Sequence, residues 1–230
     1  MLSVETRIWF WQCVEEEKRN RLRMPEMDER VVMQQPLSAI AEAFEELSKR
    51  NDAHSIRLDT FCEAASLVSV LFRCLGLAFK FAELEYVAKL HGLLEASKTC
   101  PTLQDILNLD VASDTVKTSG SSSRNLRRVR QGLDLVRAIF EQLLSTDDNS
   151  LKEVATVAYG QVCAPYHTWA VRTAVYAGMY TLPTRDQLLM KLNETEQSAE
   201  KKMRRYIAAS LPIIEYIDKL YLSRNITLDW

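Results

Sequence analysis

Two arginines one helical turn apart, Arg124 and Arg128, are the residues of this chain best suited to hold an anion. A guanidinium presents a planar fork of N–H donors that matches phosphate or carboxylate oxygens, often two at a time. Upstream, Glu85 and Lys89 repeat the i, i+4 spacing with an acceptor and a cation. Downstream, His167 stands in Ala-Pro-Tyr-His-Thr-Trp. No Ser or Cys in a recognisable nucleophile context accompanies it, so hydrolytic chemistry has little support and no catalytic residue is assigned. The five cysteines, Cys13, Cys62, Cys74, Cys100 and Cys163, are scattered without a C-x-x-C pair, and only three histidines occur. That pattern argues against a zinc site, and neither metal nor cofactor is expected.

Each of these residues also has a plainer reading. Most Lys and Arg on helices are solvated, and periodicity alone reads Arg124 and Arg128 that way, along with Arg127, Arg130 and Arg137. A Glu/Lys pair at i, i+4 is ordinarily a surface ion pair worth about 0.2–0.5 kcal/mol. A lone His is ordinarily a surface or satisfied core residue.

The element that must position the arginines is a helix over roughly 124–145. Leu126, Val129, Leu133, Val136 and Phe140 make one apolar stripe at 3.6-residue spacing, an ordinary core face. Arg124 and Arg128 lie on another face, which continues through Leu135 and Ile139. That face begins cationic and turns apolar two turns later, which suits an amphiphile with an anionic head and a hydrocarbon tail. In the preceding helix, Ala78, Ala82, Glu85, Lys89 and Leu93 share a face, with small alanines allowing close approach.

The remainder of the chain reads as all-α, with six glycines, six prolines and long stretches of helical periodicity. Helices are expected near 37–50, 56–75, 77–97, 102–109, 124–145, 151–162, 164–180, 185–193 and 195–222, with a surface loop over 110–123. Ser150–Glu153 and Thr184–Gln187 have the spacing of capping boxes, Pro101 suits a first helical turn, and Ser121 to Ser123 offer an N-cap. Residues 1–35, rich in Glu, Arg and Met, read as a loosely attached or disordered extension with some helical tendency, and 36–230 as the compact domain.

The 230 residues are 47% hydrophobic and 26% charged, a globular balance, and the formal net charge is −2. A near-neutral total gives no case for a nucleic-acid partner, so any basic site must be local. The run Ile8-Trp-Phe-Trp11 is too short for a membrane span or a signal-peptide core. Scattered cysteines then read as reduced thiols of a cytoplasmic protein, and Asn193-Glu-Thr and Asn225-Ile-Thr as chance glycosylation matches.

Three segments together resemble the glycolipid transfer protein family. They are Leu75-Gly-Leu-Ala-Phe-Lys-Phe-Ala-Glu-Leu-Glu-Tyr-Val-Ala-Lys89, Arg124-Asn-Leu-Arg-Arg-Val-Arg-Gln-Gly-Leu-Asp134, and Ala164-Pro-Tyr-His-Thr-Trp169 with Gly178-Met-Tyr-Thr-Leu-Pro-Thr-Arg185. The resemblance covers roughly 36–222 and is closest to the ceramide-1-phosphate branch, in its plant accelerated-cell-death form. It implies a two-layer helical sandwich and non-enzymatic transfer of a phosphorylated sphingolipid by a protein that docks transiently on membranes. It also implies roles: Glu85 accepts from the sphingoid amide, His167 donates to the acyl carbonyl, and Lys89, Arg124 and Arg128 hold the phosphate. Leu135 and Ile139 then line the hydrocarbon pocket, and Trp169 meets the membrane or, alternatively, packs in the core. Arg128 stands where glycolipid-binding members carry Trp, so the resemblance favours a phosphate head over a sugar. The chain departs from the family pattern in Glu85, where Asp is usual, and in Thr168, where Gly is common. Those departures keep open a lipid-sensing or protein-interaction module on the same fold.

Overall fold

The structure, a computed structural model, describes residues 35–51, 55–76 and 79–230. The extension expected over residues 1–35 falls outside that range up to residue 34. Among the described residues the elements are helical, apart from one isolated bridge between Arg57 and Thr102. They run α1 (Pro36–Asn51), α2 (Leu58–Leu67), α3 (Ser69–Cys74), α4 (Lys80–Ala96), α5 (Leu103–Ala112), α6 (Ser122–Ser145), α7 (Leu151–Val162), a 3-10 turn (Ala164–Tyr166), α8 (Trp169–Met179), α9 (Arg185–Lys191) and α10 (Glu196–Leu222).

Local chemistry explains most boundaries. The Ser121 hydroxyl accepts from the Arg124 amide and starts α6. Thr184 with Gln187 forms the expected capping box at α9, and Thr102 with Asp105 and Thr195 with Ser198 form two more. Ser150 departs from expectation: its side chain makes no cap, and its own amide instead donates to Asp148. Pro101 stands before the N-cap, outside the helix, where its carbonyl accepts from Leu58. The span expected as one helix over 56–75 is broken at Val68, and the one over 164–180 is broken at His167, which is extended.

Helix α6 occupies the centre, with α10, α4, α7 and α5 packed around it. Its expected stripe is core: Leu126, Val129, Leu133, Val136 and Phe140 are at most 5% exposed. Fully burying such a side chain stabilises by about 1.5–3 kcal/mol. Tyr206 of α10 seals this interface, donating to the Leu133 carbonyl at 3.1 Å and stacking edge-on with Phe44 and Phe140. A two-pronged Arg205–Glu45 pair joins α10 to α1.

The α4–α6 crossing is close because two glycines stand in it. A Cβ on Gly132 would fall 2.8 Å from the Tyr86 ring, and one on Gly92 would fall 2.7 Å from the Asn125 amide. The two contacts run in opposite chain directions, so the helices cross antiparallel. Lys89 comes level with Arg128, and Glu85 with Gly132. The start of α4 is held by the buried Glu83 carboxylate, which accepts from Arg73 at 2.9 Å and Lys80 at 3.3 Å.

Candidate functional site

The N-terminal half of α6 brings three arginines together, and they differ from the arginines further along. Arg124 donates to the Lys117 carbonyl at 2.6 Å. Arg127 donates to the Leu228 carbonyl at 2.7 Å and stacks over the Tyr166 ring at 5.3 Å. Arg128 is half-buried and donates to the Gln131 side-chain oxygen at 2.7 Å. Burial first, and the neighbouring Arg124 and Arg127 charges next, pull Arg128 below the usual guanidinium range. It remains a cation at neutral pH.

Sequence periodicity expects Arg127, Arg130 and Arg137 to be solvated, and the structure corrects all three. Arg127 is 2% exposed. Arg130 is paired with Asp134 and Asp218, and Arg137 with Asp134 and Glu141. The side of α6 taken for a solvated face is covered by α10 and by the segment after it.

His167 follows the 3-10 turn, where extended backbone turns its ring toward α7. Its Nδ1 lies 2.8 Å from the Tyr159 hydroxyl. Burial first, and Arg128 second, hold the imidazole below its ordinary value, so it is neutral at physiological pH. Burial pushes the Tyr159 phenol up to about 12, so it keeps its proton. Cys163, buried nearby, is likewise pushed up to about 12 by desolvation and by Asp134. A thiol held protonated is a poor nucleophile.

Glu85 and Lys89 pair with one another at 3.3 Å across one turn of α4. Register sets Lys89 level with Arg128, across the close α4–α6 crossing. Leu135 and Ile139 are half-buried against a second apolar cluster, and Ile139 also touches the main core. That cluster joins Ala138 of α6 to Ala158, Tyr159, Val162, Cys163, Ala164 and Met179. Its position beside Tyr159 puts it next to His167.

Trp169, at the first position of α8, is 74% exposed, which rules out core packing. Val171 and Tyr176 on the same helix and Tyr180 at its C-cap are also exposed, an uncommon concentration of apolar area on a short segment. Thr168 is the N-cap of α8, its hydroxyl accepting from the Val171 amide. The residue that departs from the family pattern therefore has a local structural job.

Two participants were not singled out from sequence. Tyr159 sits eight residues before His167, off any motif, and only the fold of the 3-10 turn joins them. Gln131 follows Arg128 at i+3, a spacing that allows the contact but does not distinguish it from many others.

The family profile described as "Glycolipid transfer protein (GLTP)" matches residues 56–194. The chain is 64% identical over 225 residues to an "ACD11 homolog protein" of Arabidopsis thaliana, covering 94% of this chain and 98% of that one. It is 26% identical over 196 residues to a "Ceramide-1-phosphate transfer protein" of Mus musculus, covering 76% and 88% respectively. A crystal structure of a variant of Arabidopsis ACD11 (accelerated-cell-death 11) complexed with C12 ceramide-1-phosphate superimposes with a TM-score of 0.83 at 46% identity, covering 85% of this chain and 98% of that one. The helical arrangement is thus the two-layer sandwich expected from sequence.

Proposed function

Because this chain belongs to the glycolipid transfer protein family, we propose that it carries a phosphorylated sphingolipid, with ceramide-1-phosphate the preferred cargo, between membranes without chemical change. The observation that carries the reading is the placement of Arg128 and His167 beside the apolar cluster that receives Leu135 and Ile139. A permanent cation stands next to a neutral imidazole where a polar region meets a hydrocarbon-like one.

The residues divide the lipid between them. Arg124, Arg128 and Lys89 take the phosphate through charge-assisted bonds. His167, with Nδ1 engaged by the Tyr159 hydroxyl, presents Nε2–H to the acyl carbonyl. Glu85 accepts from the amide N–H, which would otherwise lose about 1–3 kcal/mol unpaired beside a dry pocket. Leu135 and Ile139 receive the chains. Trp169 and its exposed neighbours dock the membrane, where rings with one polar edge are at home. No helix among the described residues is long and apolar enough to cross a membrane. On the carrier reading docking is transient, and the chain works from the cytoplasmic side of the membranes it visits. The buried, protonated Cys163 four residues before His167 favours carriage over covalent catalysis.

A second reading, a lipid sensor or interaction module on the same fold, is favoured by the Glu85–Lys89 pair, in which each residue already partly satisfies the other before a ligand arrives. Vesicle-to-vesicle transfer with ceramide-1-phosphate beside a glycosylceramide separates the two. Rapid, selective movement of ceramide-1-phosphate supports the carrier. Tight binding without movement favours the sensor.

A further inference from the structure

Helix α6 carries two populations of arginine. Arg130 and Arg137 are neutralised by carboxylates, namely Asp134, Asp218 and Glu141. Arg124, Arg127 and Arg128 are each held by a neutral oxygen: the Lys117 carbonyl, the Leu228 carbonyl and the Gln131 amide. None of these three makes an ion pair with a carboxylate among the described residues. Two of the three neutral acceptors are backbone. Only at Gln131 did the acceptor depend on a choice of side chain.

Gln131 is 5% exposed, so its amide is fixed by packing and not by solvent. Its Nε2 finds no protein acceptor, and neither do Nε and Nη1 of Arg127, one turn earlier on the same face. The buried side of α6 next to Arg128 thus holds donors that lack acceptors, beside arginines that no carboxylate pairs. Both deficits are of the kind an oxyanion relieves.

We propose that Gln131 is a positioning and specificity-determining residue that aims Arg128 while leaving its charge uncompensated. Glutamate at this place would fit the same space and accept the same hydrogen bond. It would also cancel one positive charge where the ligand needs it. A phosphate monoester carries about −1.5 to −2 at neutral pH, so its affinity depends on net local charge as well as on donor geometry. A neutral head group depends mainly on donors. The amide therefore tilts the site toward the phosphate monoester over a sugar or a bare hydroxyl. This inference rests on the lipid-carrier reading above.

The test compares Gln131→Glu with Gln131→Met in transfer between phosphatidylcholine vesicles, using ceramide-1-phosphate and ceramide, with thermal unfolding alongside. Gln131→Met removes the acceptor but keeps the cationic field. The expected order of ceramide-1-phosphate transfer is wild type, then Gln131→Met, then Gln131→Glu, with Gln131→Glu lower by on the order of tenfold or more. Ceramide transfer should change less, so the head-group ratio moves. Unfolding of Gln131→Glu should be unchanged or later, since the buried cations gain a counter-ion. A purely structural role predicts the reverse order, because Glu keeps the hydrogen bond that Met loses. Gln131→Glu at wild-type rate, or equal loss of both lipids, would overturn the proposal. Failure of the wild type itself to move ceramide-1-phosphate would instead overturn the carrier reading.

Discussion

The Tyr159 hydroxyl stands 2.8 Å from Nδ1 of His167, and the two rings meet at a centroid distance of 5.6 Å. A phenol pushed up to about 12 is the donor here, and a neutral imidazole is the acceptor. The contact selects the tautomer with its proton on Nε2. Tyr159→Phe should release that selection while leaving the ring packing in place. Ceramide-1-phosphate transfer is expected to fall about two- to tenfold, the loss of about 0.5–1.5 kcal/mol from one hydrogen bond. Transfer rate beside a nitrogen-detected titration of His167 checks it. An unchanged rate with an altered tautomer would remove His167 as a ligand donor.

His167 also sets a pH dependence of stability. Its folded value lies below the ordinary 6.5, through burial first and Arg128 second. As pH falls, the unfolded chain takes up the proton before the folded one does. The stabilisation is therefore complete above about pH 6.5 and is lost as pH falls through the lower folded value. Chemical unfolding at about pH 7.5 and about pH 5 should show a drop in the wild type that His167→Asn reduces.

Arg128→Trp should weaken phosphate-lipid transfer without unfolding the chain. Tryptophan offers one N–H and no charge, against the paired donors of a guanidinium. The expected loss is about 1.5–3 kcal/mol of lipid affinity, roughly ten- to hundredfold in transfer at limiting lipid. Lys89 and Arg124 remain, so binding falls without vanishing. Transfer of both lipid types, with thermal melting as control, gives the answer. Unchanged ceramide-1-phosphate transfer in the folded variant would show that Arg128 does not touch the head group.

The two glycines of the α4–α6 crossing should respond unequally to alanine. At Gly132 the new methyl meets the ring of Tyr86, which is buried and anchored by its hydroxyl to the Ala65 carbonyl at 2.8 Å. That ring cannot step aside, and overpacking of this kind costs about 1–3 kcal/mol. At Gly92 the methyl meets the end of the Asn125 side chain, which can turn. Gly132→Ala should melt earlier than Gly92→Ala, and it should also slow transfer by moving Lys89 relative to Arg128. Equal melting temperatures would contradict the crossing geometry.

Trp169→Ala should reduce binding to vesicles and leave stability within about 0.5 kcal/mol of wild type, as for other exposed substitutions. The ring is 74% exposed, so its removal opens no cavity. Sedimentation with vesicles, beside thermal melting, measures both.

What the residues alone determined was mostly local. Helical periodicity placed the α6 core stripe, because a 3.6-residue repeat of apolar side chains needs no knowledge of its partner. Thr184 with Gln187 and Ser121 announced helix starts, since a cap is satisfied within four residues of itself. Spacing alone left Arg124, Arg128, Glu85, Lys89 and His167 with a plain reading as surface or core residues, and only their joint resemblance to the family's motifs singled them out. Tertiary structure decided what lay beyond reach of that local logic. Arg127 and Arg130 looked like solvated cations until the Leu228 carbonyl and Asp218 arrived from about a hundred residues away. Trp169 had two readings from sequence, and its exposure removed one of them, core packing. A helical wheel assigns a residue an angle but not a neighbour. Whether a guanidinium on that angle meets water, a carboxylate or a neutral amide is settled only by what packs against it, and in α6 that difference separates the arginines paired with carboxylates from those held by neutral oxygens.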